Sequence, residues 1–159
     1  MNAWTLCAML LSLAGGSAWA QAPEPAAPSA LRVTYLVYSG RPNPTLTITD
    51  AKTIRSLRSQ LSSALATGAG MRSTELQPKL GYNGILVESV GEAAPQYTLK
   101  GRFLRADGRA TSADAKAPTI AASASTAATL IEAQLLKLGE QQGVLSPSTA
   151  AMARKGAGK

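Results

Sequence analysis

The run from residue 124 to 138 constrains this chain most. Ala124, Ala127, Ala128, Ile131, Leu135 and Leu138 fall within about 100° of arc at 100° per residue, the single apolar stripe of an amphipathic helix. Such a stripe needs a surface to cover it. Ser123 or Ser125 offers a side-chain oxygen to its first free amides, and Gly139 or Gly143 offers an exit. A second stripe, Ile54, Leu57, Leu61, Ala64 and Leu65, has Lys52, Arg55, Ser56, Ser59 and Ser63 opposite it, and Thr49-Asp50 supplies its cap.

Period-two segments supply the surface. Residues 31–38 place Leu31, Val33, Tyr35 and Val37 on one face of a strand. Residues 84–90 and 96–105 read as an antiparallel hairpin turning at 91–95, and Asp107-Gly108 is a type I′ signal from which 109–112 fold back as a short edge strand. Residues 67–80 read as a long loop and 113–123 as an Ala/Pro-rich connector. The expected fold is α+β: a small, three- to four-stranded, mainly antiparallel sheet with two amphipathic helices on one face, in the order β-α-β-β-(β)-α.

The flanks read differently. Residues 3–14 are an uncharged apolar stretch, Gly15-Gly16-Ser17 breaks it, and Ala18-Trp19-Ala20 fits small-x-small cleavage, so residues 1–20 are expected to be a signal peptide cut after Ala20. The stretch lacks Lys and Arg, which leaves an uncleaved N-terminal anchor as the alternative. No later segment approaches the roughly 20 apolar residues of a spanning helix. Residues 21–30 are a Pro/Ala-rich disordered linker, 31–145 a single domain, and 146–159 a disordered basic tail, in a periplasmic or secreted protein of bacterial type.

The composition removes most chemistry. The chain has no His, and its one cysteine, Cys7, lies in the apolar leader. A Ser-His-Asp triad, a Cys-His pair and imidazole or thiolate metal sites are excluded, and no cofactor is implied. Carboxylates remain: Glu88 and Glu92 are the one close pair, a candidate for acid-base glycan cleavage by a small hydrolase or lyase. No phosphate loop occurs; Gly68-Ala-Gly70 reads as a helix exit.

Charge points outward. Sixteen Lys and Arg against nine Asp and Glu leave a formal +7, which favours an anionic envelope polymer or an envelope protein as partner. Lys100 and Arg102 alternate with Leu99, Gly101 and Phe103, and so share the face away from the core. One Phe and four Tyr beyond the leader are too few stacking platforms for nucleic acid.

The most individual stretch is Tyr38-Ser-Gly-Arg-Pro-Asn-Pro44, which leads from the first strand to the first helix. Pro42 and Pro44 fix two φ angles and push Asn43 to extended geometry, a stiff corner before any partner arrives. Together with Leu80-Gly-Tyr-Asn-Gly84, it resembles a pattern in small uncharacterised exported bacterial proteins, where an aromatic residue closely follows the corner; here Thr45-Leu46 stands in that place. The resemblance implies a fold unit and no activity. It suggests that the two loops sit side by side, with Arg41, Asn43 and Tyr82 as a recognition corner and Tyr82 presented outward. The expected function is that of a non-catalytic binding protein, with glycan cleavage through Glu88 and Glu92 or inhibition of an envelope enzyme as alternatives.

Overall fold

The computed structural model describes residues 30–38, 40–70, 81–91, 93–108 and 118–157. The leader, linker residues 21–29, Glu92 and residues 109–112 lie outside them, whereas Ala30, expected in the disordered linker, is buried in the first strand. The chain is α+β, as expected, but richer: the described residues form three helices and a seven-stranded sheet in which every pairing is antiparallel.

β1 (Ala30–Tyr35) lies between β2 (Thr45–Ile48) and β4 (Ile85–Val90), and the sheet continues through β5 (Gln96–Lys100), β6 (Phe103–Asp107) and β7 (Thr119–Ala124) to the two-residue β3 (Ala69–Gly70). Cross-strand pairs carry the core row by row. Ile48, Leu31 and Ser89 align at one end, Leu46, Val33 and Val87 in the middle, and Tyr35, Ile85, Leu99 and Leu104 at the other. Because successive side chains alternate, this row faces the helices and its neighbours face away.

α1 (Ala51–Thr67) begins where Asp50 accepts the Thr53 N–H at 2.7 Å, and buries Ile54, Leu57, Leu61 and Ala64 as its stripe requires. α2 (Thr126–Gln141) is capped by Ser125, which accepts the Ala128 N–H at 3.2 Å. Its buried set is wider than the sequence stripe, adding Glu132, Leu136 and Gly139 to Ala128, Ile131 and Leu135. A third helix covers the extra surface: α3 (Pro147–Ala157) packs on α2, with Ala150 and Ala153 fully buried.

Four expectations are thereby corrected. The basic tail is helical from 147 to 157, because alanines can bury a helix face with little apolar bulk. The proline corner leads into β2, which hairpins back on β1 before α1 begins. The ten-residue strand at 96–105 is two strands, broken at Gly101-Arg102, where Gly101 has φ +57°. The strand returning along β6 is 119–124, which the Ala-rich connector reading passed over. No helix among the described residues is long and apolar enough to cross a membrane.

Candidate functional site

Beyond β1 the chain continues extended past the sheet end. The Leu36 N–H donates to Gly84 O at 2.9 Å and the Asn83 N–H donates to Leu36 O at 2.7 Å, so the corner and the 81–84 loop do lie side by side. At the tip of the β1–β2 hairpin, Asn43 Oδ1 accepts two backbone donors, Val37 N–H at 3.0 Å and Tyr38 N–H at 2.9 Å. Tyr35 N–H closes the strand pair on Pro44 O at 2.9 Å. Asn43 is thus spent on the turn itself. Replacing it with Ala leaves two half-buried amides without an acceptor, an expected loss of about 1–2 kcal/mol in urea unfolding. Asn43→Asp, which keeps the acceptor oxygens, should recover most of that stability.

Arg41 is exposed, and its guanidinium carbon lies 4.7 Å from the centroid of the Tyr38 ring. Among the described residues no carboxylate pairs with it. The ring steers a cation that remains available to an external anion.

Tyr82 goes the other way. It is buried, and its hydroxyl donates to Glu132 Oε1 at 2.5 Å, while Gly101 N–H donates to Glu132 Oε2 at 2.7 Å. The outward Tyr82 of the sequence reading is therefore corrected: Gly81 and Gly84, both at positive φ, turn the loop so that the ring enters under α2 and α3. Burial pushes the Tyr82 hydroxyl well above its ordinary pKa, with the Glu132 charge adding to the effect. Glu132 is also raised, since desolvation outweighs the hydrogen bonds from Tyr82 and Gly101 and the field of Lys100. Above it, Tyr35 Oη donates to Leu135 O at 2.8 Å, and burial raises its pKa as well. Both carboxylate oxygens of Glu132 are engaged and the group is 1% exposed, so it is a structural acceptor with no access to substrate. Sequence reasoning passed over Glu132; its signal was a charge one position after Ile131 inside the apolar stripe.

The remaining expected residues are separated. Lys100 ends β5 and is half-buried, while Arg102 is exposed in the two-residue turn, so the two do not share a strand face. The break at Gly101 is the reason. Arg105 is tied to the buried Asp107 at 2.7 Å. Glu88 sits on the face away from the helices, opposite Arg32, at a small hollow near the β4–β5 turn. No three metal-binding side chains converge among the described residues. Comparison with protein-family models, curated proteins and solved structures returns no match, so the molecule's own geometry must carry its function.

Proposed function

We propose that this is a non-catalytic binding protein whose recognition corner is the β1–β2 hairpin tip, with Arg41 as its leading contact to an anionic envelope component. The observation that carries the reading is the guanidinium stacked on Tyr38, without a carboxylate partner among the described residues, on a turn braced by the Asn43 hydrogen bonds. Such a group is held in place before binding, so little ordering remains to be done when an anion arrives. The chain's excess positive charge acts in the same direction by drawing anionic surfaces near. The carboxylate alternative finds less support: Glu132 is sealed, and of the Glu88/Glu92 pair only Glu88 lies among the described residues.

The test is cosedimentation with vesicles containing an anionic phospholipid, or retention on cell-envelope fractions, at low salt. Arg41→Ala should weaken binding several-fold with an unchanged melting temperature. Asn43 variants are unsuitable for this comparison, because they disturb the turn. Retention equal to wild type in Arg41→Ala would remove the corner from the binding surface.

A further inference from the structure

The face of the sheet turned away from the helices carries a transverse polar row. Thr47 on β2 pairs with Arg32 on β1, Arg32 pairs with Glu88 on β4, and Gln96 on β5 pairs with Asp107 on β6. Directly opposed residues on an antiparallel pair have Cβ atoms about 5 Å apart, within easy reach for an arginine and a glutamate. Ion pairs close between Arg105 and Asp107 and between Arg154 and Glu140. None closes between Arg32 and Glu88. Instead the two flank a hollow of about 140 Å³, walled further by Ser89, Val90, Gly91, Ala94 and Gln96.

We infer that this hollow binds a small zwitterion of α-amino-acid size, with its ammonium on Glu88 and its carboxylate on Arg32. Glu88 is half-buried and has no ionic partner among the described residues, so a ligand cation relieves a charge already partly removed from water. Arg32 is exposed and offers a planar fork suited to a carboxylate. The two protein charges are opposite and adjacent, and a ligand bearing both complementary charges satisfies them together. A simple anion or cation satisfies one.

Size follows from volume. A dry cavity of roughly 150 Å³ accommodates benzene, about six heavy atoms, and alanine has a similar count. Val90 and Ala94 supply apolar wall for a methyl group, and Gln96 supplies a neutral donor and acceptor. The Ser89 side chain faces the helices, where its hydroxyl accepts from Arg58 Nη2 at 2.5 Å, so that hydroxyl is turned away from the hollow. Glycine, alanine and serine fit within that volume, and the side chain of a larger amino acid would project through the open side of the hollow. The site lies at the opposite end of β1 from the Arg41 corner and is independent of it.

The experiment is a titration of the isotopically labelled protein with L-alanine, followed by amide chemical shifts. Saturable shifts centred on Gly91 and Gln96 are expected, with a dissociation constant on the order of 1 mM for so small a ligand. Acetate and ethylammonium should each bind at least about tenfold more weakly. Arg32→Gln and Glu88→Gln should each abolish saturation without moving the melting temperature. Shifts that stay linear to roughly 50 mM alanine would overturn the site, as would acetate or ethylammonium matching alanine. Should either variant fail to fold, the half-ligand comparison on the unaltered protein decides the matter.

Discussion

Replacing Glu132 with alanine is expected to lower the unfolding free energy by about 3 kcal/mol, or roughly 10 °C in melting temperature for a domain of this size. The substitution removes the acceptor from two buried donors at once, the Tyr82 hydroxyl and the Gly101 amide, and leaves a void between α2 and the β5–β6 turn. Each stranded donor costs about 1–3 kcal/mol. Relief of the buried charge offsets part of this, which keeps the total below the sum of the separate losses.

Glu132→Gln should behave differently. The amide oxygen can accept from Gly101 and the amide nitrogen can donate to Tyr82 Oη, so the variant should lie within about 1 kcal/mol of wild type. The pH dependence separates the two further. Because the folded carboxyl titrates above its ordinary 4.5, its contribution to stability is fully present below that pH and is lost as pH rises through the folded value. Relative to Glu132→Gln, the wild type should therefore weaken progressively over the range above pH 4.5. Chemical unfolding of both proteins across that range measures it, and a constant difference would show that the hydrogen bonds cancel the burial cost.

The second large effect is expected at Gly84. With φ +106°, this residue occupies backbone that side-chain-bearing residues rarely adopt, and a Cβ added there would sit 2.2 Å from Leu99 O. That oxygen belongs to the central strand β5, where neither neighbour can give way cheaply. Gly84→Ala is expected to cost about 3 kcal/mol or more, combining backbone strain with displacement of β5 from β4. Gly81→Ala is the control: its φ is +98°, but no atom lies within 4 Å of the added carbon, so strain acts alone. A melting temperature for Gly84→Ala no lower than that of Gly81→Ala would show that the close approach to β5 is inconsequential.

The sequence exposed those parts of the fold where one period persists over many residues. Both long helices and their Asp50 and Ser125 caps follow from the stripes, because one buried face of a helix imposes a repeat that few other structures share. The strands were harder to separate. Residues 96–105 alternate well enough to pass for one strand, yet Leu99 and Leu104 are five apart and both fully buried. A continuous strand would place them on opposite faces, and that conflict of parity marks the turn at Gly101. β2 offers four residues, too few for a convincing alternation, and the prolines ahead of it look like a stop when they are a hairpin.

The missed pieces share a physical reason. α3 presents alanines to its partner, so its helical face carries little hydropathy contrast. β7, similarly, is half alanine and buries Ser123, whose hydroxyl donates to Ala64 O at 3.1 Å. At the site, adjacency of the corner and the 81–84 loop was legible from the prolines and glycines. The inward direction of Tyr82 was not, because its partner lies 50 residues downstream on another element.

The seat of Tyr82 also bears on the order in which the chain can assemble. Gly156 lies against the Tyr82 ring, and Ala157 O lies where a side chain on Gly101 would be. Residues near 82, 101, 132 and 157 thus meet at one point, while Tyr35 reaches α2 across a separation of 100 residues. Contacts so distant along the chain bring their free-energy gain only after long loops have closed. The first hairpin and α1 can form early, but a polypeptide ending before α3 lacks the surface that shuts over Tyr82. Completion of the core is therefore tied to the docking of α3, and the seat of Tyr82 stays open until that helix is in place.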